Sequence, residues 1–192
     1  LFLYNDDNVD SLESTAGTDT LKEMLEEWWE VTDRKSALET ISWLLNEGQH
    51  AGADPALTEI RQRGIEAITE EEKADEDSKI GDAFTIEFVM GVNETTEADL
   101  PETVLAWDLV RAVNMARWAF ICGYINEDEM WEAIRTTAGI AKESFNSWEE
   151  YGNSFAVGRG IWRGETDDYE TADEVVGALL NKEDSPWKAI EW

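Results

Sequence analysis

An all-α fold, of about seven or eight helices in a single globular domain, follows from three features of this chain. Oxygen acceptors stand at capping distance before amphipathic runs in several places, whereas strand punctuation is scarce. Apolar residues recur every three or four positions rather than every second one. From Leu105 to Cys122 a helical projection leaves no broad polar face, which marks a helix buried on most sides. That stretch, extended to residues 101–122, is the expected centre of the fold.

Residues 1–19 form an expected irregular N-terminal segment. Within it Asp6, Asn8 and Asp10 begin with the alternation of a calcium loop, but Ser11 replaces the turn glycine and Gly17 stands where the bidentate glutamate belongs, so no such site is expected. Thr20 with Glu23 opens the first helix by capping-box spacing. Leu38, Ile41 and Leu45 mark a second, which Gly48 stops. Asp54-Pro55 opens a third, with proline at the first helical position where its missing donor is harmless, and Leu57, Ile60, Gly64 and Ile68 continue its stripe. Glu70, Glu71, Glu72, Asp75, Glu76 and Asp77 make residues 69–82 an acidic, solvated connection. Thr85 to Met90 crowd β-branched and aromatic residues together, leaving strand and short helix both open. Leu100-Pro101 starts the central helix and Gly123 stops it. Asn126 with Glu129, Ser147 with Glu150, and Thr171 with Glu174 then open the remaining helices.

A chain of 192 residues fits one domain, since single cores grow to about 250 residues. Hydrophobic residues make up 42% of it and there are 10 tryptophans, so it can bury a substantial core. The net charge of −29, from 44 acidic against 15 basic residues, disfavours nucleic acid and anionic membrane surfaces as partners. The same field would speed encounter with a basic protein, although solubility alone also accounts for it. Cys122 is the only cysteine, which excludes an intramolecular disulfide and a cysteine-based metal knuckle and favours a cytoplasmic location. Asp108, Arg111, Asn114 and Arg117 interrupt the central apolar run, so no membrane span is expected. The chain opens on Leu1 rather than Met, which leaves the question of a signal peptide outside the sequence.

Few residues carry a chemical signal. Val104, Asp108, Arg111, Met115 and Cys122 fall on one helical stripe, placing an oppositely charged pair, Asp108 and Arg111, among apolar neighbours. A structural ion pair is the leading reading of that pair, ahead of an active site. Arg159 and Arg163, set among Gly158, Gly160 and Gly164, are the clearest basic cluster in the chain. Internal pairing with Asp108 or another carboxylate is expected there before anion binding. His50 is the only histidine, which excludes multi-histidine metal sites, and a loop or surface role is expected for it. Cys122 reads as small core filling. Trp107, Trp118, Trp131, Trp148 and Trp162 fall in or beside apolar stripes and are expected in the core. Trp28 and Trp29 differ, because adjacent helical positions point about 100° apart and cannot both face one core. One of the two is expected to be exposed as an interface anchor.

Ala106-Trp107-Asp108, Arg111, Gly123-Tyr124-Ile125, Glu129, Trp131, Phe145, Ser147-Trp148-Glu149-Glu150, Gly158-Arg159 and Trp162 occur in an order and spacing that resemble a bacterial family catalogued as domain of unknown function 1266. Leu25 to Gly48, with its Trp43-Leu44 pair, and Ser185-Pro186-Trp187 with Trp192 extend the resemblance over nearly the whole chain from Leu21 onward. The family often has a Gly-His-basic sequence after its second helix, from which Gly48-Gln49-His50-Ala51 departs. The resemblance implies a helical fold and brings no activity, cofactor or catalytic residue. Some members sit in bacterial toxin and immunity settings, which implies protein binding.

The expected function is a non-enzymatic protein-binding role, with an inhibitor or immunity protein for a basic partner as one form of it. An enzyme using the Asp108, Arg111 and Arg159 region, or a structural homo-oligomer, are the alternatives. No metal and no cofactor is expected. Asp108, Arg111, Arg159 and Arg163 form the expected buried polar network, and Trp28 and Trp29 the expected interface.

Overall fold

The computed structural model describes residues 14–74, 83–92, 96–163 and 166–192. Among them the chain forms α1 (Thr18–Trp29), α2 (Arg34–Asn46), α3 (His50–Arg63), the short α4 (Glu70–Ala74), α5 (Ala83–Val92), α6 (Leu105–Ile121), α7 (Glu127–Ser144), α8 (Trp148–Arg163), α9 (Thr166–Asn181) and the short α10 (Pro186–Ala189). The described residues contain no strand, so the fold is all-α as expected. Thr85 to Met90, left open between strand and helix, lie within α5. Asp6, Asn8 and Asp10 lie outside the described residues. So do residues 75–82 of the acidic stretch, whose start is not a bare connection but α4. The chain divides into two compact units, one of Leu1–Asn46 with Leu109–Ile140, the other of Glu47–Asp108 with Ala141–Trp192. Helix α6 gives Leu105 to Asp108 to the second unit and the rest of its length to the first.

In the first unit Leu21, Met24 and Leu25 of α1, Ala37, Ile41 and Leu44 of α2, and Met130 and Ala133 of α7 are buried with Ala112, Met115, Ala116 and Ala119 of α6. The spacing of three and four puts each set on one helical face, and burial stabilises each large side chain by roughly 1.5–3 kcal/mol. Helix α1 begins at Thr18, two residues before the expected Thr20 start, with Gly17 at its N-cap and no side-chain capping bond. It ends when Glu30 enters the left-handed region at φ 54, with Glu30 N donating to Glu26 O and Val31 N to Leu25 O. Asp33 then starts α2 by accepting from Ser36 N at 2.8 Å. The Asn126 and Glu129 box forms as its spacing predicts, with Asn126 N donating to Glu129 Oε2 at 2.9 Å and Glu129 N to Asn126 Oδ1 at 3.0 Å.

In the second unit α8 packs along α9, and α5 lies against α3, α8 and α9. Ser147 caps α8 by accepting from Glu150 N at 3.1 Å. Thr171 does not open a helix, because α9 already runs through it from Thr166. Nor does one stripe continue from Leu57 to Ile68: Gly64, at φ 79, ends α3. The C-terminal segment is held by rings. Trp148 stacks on Trp187 at 4.7 Å, Trp148 Nε1 donates to Ile190 O at 2.9 Å, and Trp192 Nε1 donates to Phe145 O at 2.8 Å.

Candidate functional site

Asp108 is fully buried, and its carboxylate accepts three hydrogen bonds from the start of α3. Gln49 N donates to Oδ1 at 3.1 Å, His50 N donates to Oδ2 at 2.8 Å, and His50 Nδ1 lies 2.8 Å from Oδ2. Two of these donors are main-chain N–H groups at a helix N-terminus, which have no partner within the helix and carry its positive dipole end. The carboxylate therefore acts as a cap supplied from 58 residues away. This is why α3 begins at His50 and not at Asp54-Pro55, and why Pro55 lies inside the helix. Gly48 makes the approach possible. It sits at φ +49, and a Cβ there would come 2.5 Å from Asp108 Cγ.

His50 is thus not the loop histidine that was expected but part of the Asp108 site, with its side chain 17% exposed. Asp54, one turn further along α3, supports the other side of the same join. Its Oδ2 accepts from Thr103 Oγ1 at 2.6 Å and its Oδ1 from Val104 N at 2.9 Å. Thr103 Oγ1 in turn accepts from Leu105 N at 3.0 Å, so α6 starts at Leu105 rather than at Pro101. Burial pushes the Asp54 carboxyl above its ordinary value, and the Thr103 and Val104 hydrogen bonds only partly offset this. These two sets of hydrogen bonds order the starts of α3 and α6.

Arg159 and Arg163 meet a pair of indoles. The Arg159 guanidinium lies over the Trp107 ring at 5.7 Å and that of Arg163 over Trp162 at 5.5 Å, while the two rings pack on each other at 5.4 Å. Gly158 admits Trp107, since a Cβ at 158 would fall 2.6 Å from the Trp107 Cβ. Trp162 is 49% exposed, and Trp131 is exposed too, so these two are not the core residues their stripes suggested; Trp107 and Trp118 are.

Arg111 belongs to the first unit, where its guanidinium lies 5.7 Å from the Trp29 ring centre. Trp29 is half-buried against the core, and Trp28 is 62% exposed. One of the two is thus exposed, as expected. Among the described residues no group of three or more His, Cys, Asp or Glu is placed to hold a metal ion. No helix among them is long and apolar enough to cross a membrane.

A family model described as "Protein of unknown function (DUF1266)" matches residues 24–192. The chain belongs to this family. No curated protein and no solved structure matches it. The DUF1266 match spans both units, including the Asp108 site and the Trp107 and Trp162 pair, and its description assigns no activity to either. The sequence alone did not reveal three parts of the Asp108 site: the His50 bond, the Asp54 hydrogen bonds and the glycine under Asp108. Gly48 was read correctly as a helix stop. The nearest sequence signal is Gly48-Gln49-His50, a glycine stop after α2 that has no Ser, Thr, Asp or Asn beside it to cap a following helix.

Proposed function

We propose that this chain binds a basic protein without catalysing a reaction, as an inhibitor or immunity protein does. The observation that supports this reading is the charge balance, 44 acidic side chains against 15 basic ones. Internal pairing cannot absorb such an excess. Exposed carboxylates line helices in both units, among them Glu23, Glu26 and Glu27 of α1, Glu149 and Glu150 of α8, and Asp173 and Glu174 of α9. A field of one sign over the surface steers a cationic partner in and raises its association rate. An enzyme centred on Asp108 fits less well, because that carboxylate is sealed from solvent and both its oxygens are committed to donors on α3.

The test is a partner recovered at low salt, purified, and measured by binding kinetics. The recovered protein should be basic. Its association rate should fall as the Debye length shortens from about 30 Å at 0.01 M salt to about 10 Å at 0.1 M, with dissociation changing much less. A partner whose association rate ignores salt would return the acidity to a matter of solubility.

A further inference from the structure

We infer that Trp28 is the seat for an arginine side chain of the basic partner, an inference that rests on the reading above and names its contact. Three observations converge on this ring. By helical phase Trp28 lies on the same face of α1 as the buried Leu21, Met24 and Leu25, yet it is 62% exposed. The core-facing stripe of α1 thus runs on past the core, and an exposed indole there is an apolar surface without cover.

Elsewhere this protein lays its own cations on indole faces. Arg111 lies over Trp29 at 5.7 Å, Arg159 over Trp107 at 5.7 Å, Arg163 over Trp162 at 5.5 Å and Lys142 over Trp192 at 4.6 Å. No cation among the described residues lies over Trp28. Of the other exposed indoles, Trp162 has Arg163 over its ring and Trp131 Nε1 reaches Glu127 at 3.4 Å, while Trp43, at 42%, is less exposed than Trp28.

The third observation is electrostatic. The last turn of α1 holds no basic residue and does hold the exposed Glu26 and Glu27, with exposed Glu30 at the cap. These carboxylates add to the negative end of the helix dipole, where a cation is favoured and an anion is not. The arrangement opposes helix stability and suits an incoming positive charge. A guanidinium meets both demands, because its plane stacks on the indole while its N–H groups fork to carboxylates; an ammonium does only part of this.

The experiment uses a short arginine-rich peptide and a lysine-rich peptide of equal length and charge, titrated into the full chain by calorimetry at near-physiological salt. The arginine peptide should bind more tightly than the lysine peptide. Trp28→Leu should weaken the arginine peptide by about tenfold, the loss of one desolvated cation–π contact, with Trp28→Phe losing less. Glu26→Gln with Glu27→Gln should weaken both peptides and flatten their salt dependence. Unchanged arginine-peptide affinity in Trp28→Leu overturns the seat while leaving salt-dependent binding of basic chains in place. If neither peptide binds the wild-type chain, the basic-partner reading itself fails and the seat fails with it.

Discussion

Asp108 and Trp28 are each out of place by simple rules, a carboxylate in the core and an indole in water, and they resolve in opposite ways. Asp108 has Gln49 N, His50 N and His50 Nδ1 gathered around it, so its burial is compensated within the second unit. Trp28, in the first unit, keeps 62% of its surface exposed beside Glu26, Glu27 and Glu30. The buried carboxylate thus caps the start of α3. The anomaly left over, and so the better guide to function, is the apolar one.

The largest expected effect is at the closed site. Asp108→Ala leaves two helix N-terminal N–H groups and the His50 ring without their acceptor and should destabilise the protein by on the order of 3 kcal/mol. Gly48→Ala should cost about 2 kcal/mol through its left-handed backbone and the crowding of the carboxylate, with Asp108 itself intact. Chemical denaturation measures both. If Asp108→Ala leaves the midpoint where it was, these hydrogen bonds are not holding α3 and the contrast with Trp28 collapses.

A second test sharpens the contrast by setting two carboxyls of the same unit against each other. Burial raises the folded pKa of Asp54 above the ordinary 3.8. Between those two values the folded protein holds more proton than the unfolded chain, so stability falls as pH rises through that window. Glu72 runs the other way. The Arg63 guanidinium, and then the Thr69 N–H and hydroxyl, hold it down to about 2 from 4.5, so its contribution is full above 4.5 and is lost as pH falls toward 2. Asp54→Asn should remove the decline on the rising side, and Glu72→Gln should blunt the acid-side loss. Denaturant midpoints taken across this range would show it, and identical profiles for wild type and both variants would contradict the assignment.

What was legible in the sequence follows the range of the interactions. Where a cap is local, as at Asn126 with Glu129 or Ser147 with Glu150, residue identity and spacing sufficed, because donor and acceptor lie three positions apart. Where the cap comes from elsewhere in the chain, spacing misled. Asp54-Pro55 has the form of a helix start, yet Asp108 takes that role four residues earlier and frees Asp54 to order Thr103 and Val104. Ala83–Val92 shows the same limit for propensity. Its β-branched and aromatic residues suit a strand locally, but α3, α8 and α9 pack around it as a helix. The candidate site was half visible: Asp108 stood out as a charge in an apolar helix, whereas His50 could be tied to it only once the fold brought position 50 to position 108.

The smallest expected effect is the one that separates the two regions most cleanly. If Trp28 is a surface awaiting a partner and not a stabilising contact, Trp28→Leu should shift the stability of the isolated chain by no more than about 0.5 kcal/mol, the range of ordinary surface substitutions. Trp29 is the internal reference, one residue away on the same helix. It packs on the core and carries Arg111 over its ring, so Trp29→Leu removes buried ring area and a cation contact together and should cost about 2 kcal/mol. Denaturant midpoints of the two variants, compared with the wild-type chain under identical conditions, decide the matter. Equal losses would mean that Trp28 supports the fold after all, and the exposed end of α1 would no longer stand apart from the sealed site around Asp108.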